Sequence, residues 1–259
     1  MIDQATLNDI YLRSKANTPE IYITTTLKRL RLYDNKVGIT EENKESIIKP
    51  EMRMSVLDKI IRASQELQVS EDTIFHAVRL FDYLNQLSIL TTENYILYGA
   101  TSLMLTIKMN EAKMASLCER LAESFEISQV QELISTEFVV MDALEFDAFI
   151  ATPLSFIHCI SPILYSKIEN ETTAKQVLEI ACMLCQCTLI SNKFSCFSAE
   201  DIAKASISLA CKHLKLKQED ILTKAFGSEA DEKCVTFVSE ASLLPGNKEL
   251  HKILHLTDE

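Results

Sequence analysis

The sequence predicts an all-α chain, two helical units preceded by an N-terminal helix, and three observations carry that expectation. Apolar residues recur at three- and four-residue spacing almost without a break from about residue 18 onward, the period of helices with one buried face. Only four glycines and five prolines occur in 259 residues, too few to supply the turns of a sheet protein. The composition, 47% apolar and 24% charged, is that of a globular chain long enough for two ordinary domains.

Taken in order, the first helix is expected over about 18–34, followed by the polar loop DNKVGITEENKES. Pro50 sits where a first helical turn accepts proline and opens a helix to about residue 68. Ser70 is a suitable N-cap for a helix over 71–86. Thr91 or Thr92 starts the next, which runs to Lys108; a fourth covers EAKMASLCERLAESF, and Ser128 caps a fifth that ends near Leu144. These make a five-helix unit over 50–147, after an N-terminal segment, 1–49. The stretch EFDAFIATPLSF, with Pro153, breaks the periodicity and reads as a linker. A second unit, 148–259, holds helices at about 154–168, 173–191, 199–214, 217–226 and 229–242 and a short tail. GATSLMLTIK (99–108) echoes AKASISLACK (203–212) at an offset of 104 residues, small residues first and a lysine last. Small side chains let a central helix approach its neighbours, so the echo points to a duplicated unit.

Composition also excludes functions. The glycines Gly38, Gly99, Gly227 and Gly246 are too scattered for a phosphate-cradling loop. With no nucleophile–base motif and no carboxylate pair at metal-ligand spacing either, no enzyme and no cofactor is expected. The net charge is −11 and the longest basic cluster is KRLR (Lys28–Arg31), so no nucleic-acid partner is expected. No long apolar run without charges is present, and MIDQATLNDIYLR lacks the pattern of a signal peptide. A nuclear or cytoplasmic setting with reduced thiols follows. Of the eight cysteines, Cys182, Cys185 and Cys187 lie in VLEIACMLCQCTLI, an apolar helical run without a second ligand pair. Packing, not metal, is expected there. His251 and His255 have i,i+4 spacing but no third ligand in view.

Two groups of charged residues sit at the edges of apolar surfaces. Arg53 lies one turn before Leu57 on a buried face, and Asp82 one turn after Val78. A buried charge is normally paired, so an Arg53–Asp82 ion pair between neighbouring helices is expected; the alternative is that both reach water. Lys108 ends the apolar run SLMLTI, with Glu111 three residues on. It is either a cation at a helix C-terminus or the polar centre of a binding surface.

Read together, PEMRMSVLDKI, AVRLFDYL, TSLMLTIKMNE and STEFVVMDALEFD resemble the first cyclin box of A- and B-type cyclins, and FSAEDIAKASISLACKHL resembles the second cyclin fold. The likeness is good over about 45–215 and looser beyond. It implies tandem five-helix cyclin boxes and a regulatory subunit that binds and activates a cyclin-dependent serine/threonine kinase in cell-cycle control, without catalysis of its own. The positions it implies for kinase contact are Lys108, Glu137 and Glu111, and Arg53 with Asp82 match the family's internal ion pair. The family's substrate-docking patch falls on Met52, Ser55, Val56 and Lys59. Ser55 replaces an apolar residue there and Lys59 stands where A- and B-type cyclins place tryptophan, a residue absent from the chain. Docking of Arg-x-Leu substrates is therefore in question, as is kinase choice, since Met109 and Asn110 replace an aromatic and an acidic residue. The competing reading is a cyclin-fold scaffold that binds another protein without activating a kinase.

Overall fold

The computed structural model describes residues 20–37, 47–112, 114–191 and 193–243; the His251/His255 pair lies outside them. The described residues form eleven α-helices: α1 (Glu20–Val37), α2 (Pro50–Leu67), α3 (Glu71–Gln86), α4 (Tyr95–Asn110), α5 (Leu117–Ser124), α6 (Val130–Ala143), α7 (Pro153–Lys167), α8 (Glu171–Thr188), α9 (Ala199–His213), α10 (Gln218–Phe226) and α11 (Glu232–Ser242). They divide into two compact units, Thr40–Ile150 and Met1–Ile39 with Ala151–Glu259.

In the first unit α4 is the central helix, packed against α2, α3, α5 and α6. Ten consecutive residues, Tyr98–Ile107, are buried, which a helix achieves only when neighbours cover all its faces. Their polar members are satisfied inside the helix: Thr101 Oγ1 donates to the Leu97 carbonyl, Ser102 Oγ to that of Tyr98, and Thr106 Oγ1 to that of Ser102. Gly99 lets α2 come close, for a Cβ there would lie 2.4 Å from Val56 Cγ1.

In the second unit α9 has the same place, packed against α7, α8, α10 and α11. The echoed segments are thus the central helices of two similar units. The thiols of α8 are core: Cys182, Cys185 and Cys187 are each at most 1% exposed, and Cys185 Sγ donates to Ser206 Oγ at 3.2 Å. Burial pushes the Cys185 thiol up to about 12 and that of Cys187 to about 11, so both stay protonated. Helix α1 packs on α7 and α9, and its Ile23, Leu27 and Leu30 are buried.

Several boundaries move for local reasons. The third helix of the first unit starts at Tyr95, not at Thr91 or Thr92, because Thr91 and Asn94 bond each other's backbone N–H across a turn. The fourth is cut to Leu117–Ser124, since Ser116 takes a left-handed φ of 50°. The fifth begins after Gln129 without a side-chain cap, and Ser128 lies outside it. Helix α7 continues through Pro162; the His158 carbonyl, deprived of its N–H partner, accepts instead from Ser161 Oγ at 2.9 Å.

Candidate functional site

The end of α4 emerges from the core with four residues of different character. Lys108 is the first exposed residue after the buried run, and its Nζ donates to Glu137 Oε1 and Oε2 at 2.6 and 2.7 Å. Glu137 comes from α6, and the pair sits at the surface, with side chains 42% and 21% exposed. Next to it, Met109 is 42% and Phe138 69% exposed, and Val139 follows at 53%. Just past α6, Glu145 and Phe146 both take a left-handed φ, 52° and 60°, and the Phe146 N–H bonds back to the Met141 carbonyl. Left-handed backbone costs about 1–2 kcal/mol per residue without glycine, and here it turns Phe146 outward, 70% exposed.

Asn110 and Glu111 turn the other way, toward α3. The Asn110 amide meets His76 Nδ1 at 2.8 Å. One carboxylate oxygen of Glu111 accepts from the Ser70 N–H at 2.8 Å and from the hydroxyls of Ser70 and Thr73 at 2.7 Å. Burial pushes the Glu111 carboxyl up, but the bonds from Thr73 and Ser70 outweigh it, and its pKa lies below the ordinary 4.5. Glu111 thus faces the N-terminus of α3, while Lys108 faces α6.

Arg53 and Asp82 form a bidentate pair from α2 to α3: Nε to Oδ1 at 2.8 Å and Nη2 to Oδ2 at 2.9 Å, with side chains 10% and 8% exposed. The four residues at the docking positions are not one open apolar patch. Val56 is 1% exposed, Met52 is half-buried and Ser55 exposed. The Lys59 ammonium lies 3.2 Å from Glu126. Among the described residues no group of three histidine, cysteine or acidic side chains could hold a metal, and no helix is long and apolar enough to cross a membrane.

Sequence reasoning missed two features of this region. Phe138 reads as core in the run FVVM, although the buried stripe Leu133, Thr136, Val140 leaves it on the outer face; helical phase alone could have found it. The His76–Asn110 bond joins residues 34 apart, and nothing in either local pattern announces it.

The arrangement is a surface charge pair between two helices of a helical box, each charge followed in sequence by an exposed apolar residue. The cyclin N-terminal domain model matches residues 20–148 and the cyclin C-terminal domain model residues 151–256. The chain belongs to the cyclin family. Among curated relatives, the G2/mitotic-specific cyclin-B2 of Rana japonica is 26% identical over 170 residues, which is 64% of this chain and 41% of the relative. The G2/mitotic-specific cyclin-B3 of Canis lupus familiaris is 23% identical over 175 residues, 68% of this chain and 13% of the relative. The chain therefore spans less than half the length of either. Among solved structures, a viral cyclin from herpesvirus saimiri matches with a TM-score of 0.64 at 17% identity, over 85% of this chain and 95% of that one. A chain of the CAK complex of Chaetomium thermophilum bound to ATP-gamma-S matches at 0.57 and 16% identity, over 96% of this chain and 80% of that one. At such identity the likeness is one of fold.

Proposed function

We propose that this chain is a regulatory subunit that binds and activates a cyclin-dependent serine/threonine kinase, with no catalysis of its own, in the nucleus or cytoplasm. The observation that carries the reading is the Lys108–Glu137 pair and its apolar surround. An ammonium has three donors and a carboxylate about four acceptor sites, so after bonding each other both keep hydrogen-bonding capacity. Exposed Met109 and Phe138 beside them supply the apolar area that interface centres require. Such a surface suits a kinase helix and the loops next to it, whose placement brings the kinase's own Lys–Glu pair and activation loop into register. Lys108 and Glu137 are the proposed contacts, and Glu111 completes the tip of α4 that bears Lys108. Substrate docking at Met52, Ser55, Val56 and Lys59 is, on this reading, weak for Arg-x-Leu peptides, because Val56 is buried and Ser55 and the Glu126-paired Lys59 offer no apolar face.

The test is calorimetric binding to a panel of purified cyclin-dependent kinase catalytic subunits, with phosphorylation of a histone substrate as the activity readout. Lys108→Glu and Glu137→Lys are expected to lose at least about thirty-fold in affinity, since unpairing a buried interfacial charge costs about 2–5 kcal/mol. The double reversal, Lys108→Glu with Glu137→Lys, rebuilds the internal pair but inverts both charges toward a partner. It is expected to stay folded and remain deficient. Full binding by the double reversal would overturn Lys108 and Glu137 as the contacts, and no binding of any kinase by the unmodified chain would sink the kinase reading and leave the scaffold.

A further inference from the structure

We infer that Asn110 and Glu111, through His76, Ser70 and Thr73, are positioning residues that lock the tip of α4 and so present Lys108 to its partner in a fixed place; this rests on the kinase-surface reading above. The end of a helix leaves its last carbonyls without intrahelical partners and frays unless something holds it. Helix α4 has no glycine cap, and Glu111, its C-cap, is extended at φ −107°, ψ 162°. What holds the end is lateral. Three polar side chains in four residues go to three places: Lys108 to Glu137 on α6, Asn110 to His76 within α3, Glu111 to Ser70 and Thr73 at the start of α3. Met109, 42% exposed, bonds to neither neighbouring helix through its side chain, which is apolar.

The two α3 contacts act in different ways. His76 is 5% exposed, its ring edge-on to Phe149 with centroids 5.3 Å apart, so Asn110 is tied to an immobile group. Glu111 is tied by three short bonds to one oxygen, and bonds to a charged acceptor are the strong ones. A shift of one residue along a helix moves a side chain about 1.5 Å and turns it about 100°, which would carry Lys108 away from Glu137. Holding a lysine in one place before binding removes an ordering cost of the kind that otherwise subtracts from affinity.

The experiment has two readouts on the same proteins. In the free chain, amide exchange over residues 105–111 is followed in Asn110→Ala, Glu111→Ala and Glu111→Gln; the first two are expected to exchange about tenfold faster there, the size of one lost hydrogen bond at the upper end of its usual range. Glu111→Gln, which keeps the acceptor, is expected to fall between. Affinity for the kinase selected from the panel is then measured for each variant in the Lys108 and the Lys108→Ala backgrounds. A positioning role predicts a loss of about tenfold with Lys108 present and less than about twofold without it, because the variants act through that side chain. Unchanged exchange overturns the lock. Equal losses in both backgrounds overturn positioning, since Glu111 would then touch the kinase itself or serve stability alone. If Lys108→Ala binds like the unmodified chain, the kinase-surface reading fails and takes this inference with it, a result distinct from the other two.

Discussion

His76 shows what one side chain contributes beyond its contact. Burial holds its pKa below the ordinary 6.5; the charge of Asp72, the Ile150 backbone and the Asn110 bond oppose that, and Arg79 adds to it. The sign of the pH dependence follows. Between the folded and unfolded pKa values the unfolded chain binds more protons, so stability falls as pH drops below about 6.5 and levels off only below the folded pKa. Glu111, with its depressed pKa, adds stability above 4.5 that is lost only at lower pH. Urea midpoints at pH 7.5, 6.5 and 5.5 should therefore decline in the unmodified chain and decline less in His76→Gln. Equal slopes in the two proteins would mean that the imidazole stays uncharged in both states or ionises freely in both. The charged residues differ in how readable they were. Arg53 and Asp82 broke the apolar phase of their helices, and phase is local, so their pairing was open to inference. The His76–Asn110 bond depends on where two helices meet, which no local pattern encodes.

At the scale of the element, Gly99 sets how closely α2 and α4 approach. Alanine is the better helix former by about 1 kcal/mol, yet its Cβ would lie 2.4 Å from Val56 Cγ1. Val56 is 1% exposed and has no room to yield, so overpacking at about 1–3 kcal/mol wins. Gly99→Ala is expected to lower the melting temperature of the chain, and Val56→Ala added to it should cost less than Val56→Ala alone. A rise in melting temperature for Gly99→Ala would show that the helices separate freely. Helices themselves were the most legible feature, because a 3.6-residue period survives any tertiary arrangement. Their ends were less so. Thr91 looked like a helix start and is a turn residue, and Ser116 interrupts a segment whose apolar period continues through it. Lys108 and Glu137 were found through motif order, whereas exposed Phe138 and Phe146 were hidden by their apolar identity, since composition does not say which face is covered.

At the scale of the whole molecule, chain order and folding unit diverge. The matched cyclin N-terminal model begins at residue 20 and so groups α1 with α2–α6, whereas α1 belongs to the compact unit of residues 151–259. Two kinds of contact tie it there. Ile23, Leu27 and Leu30 are each at most 7% exposed, worth about 1.5–3 kcal/mol apiece on full burial. Asp34, 6% exposed, accepts the N–H groups of Ala199 and Glu200 at 3.0 and 3.1 Å, placing a carboxylate at the positive end of α9. Arg31 adds a bidentate pair with Glu200, both bonds at 2.7 Å, and a bond to the Phe226 carbonyl. Burial pushes the Glu200 carboxyl up, but Arg31 and Lys204 outweigh it and hold it below 4.5, so this contribution persists down to mildly acid pH. Without α1 the unit loses this apolar cover and the carboxylate that caps the first N–H groups of α9. A fragment of residues 151–259 should therefore be poorly folded alone and gain helicity and a cooperative melt when a peptide of residues 18–39 is added. The same peptide with Asp34→Ala should restore less, by about 1.5–3 kcal/mol for each lost bond to the charged group. A 151–259 fragment that melts alike with and without the peptide would show that α1 lies on the unit without supporting it.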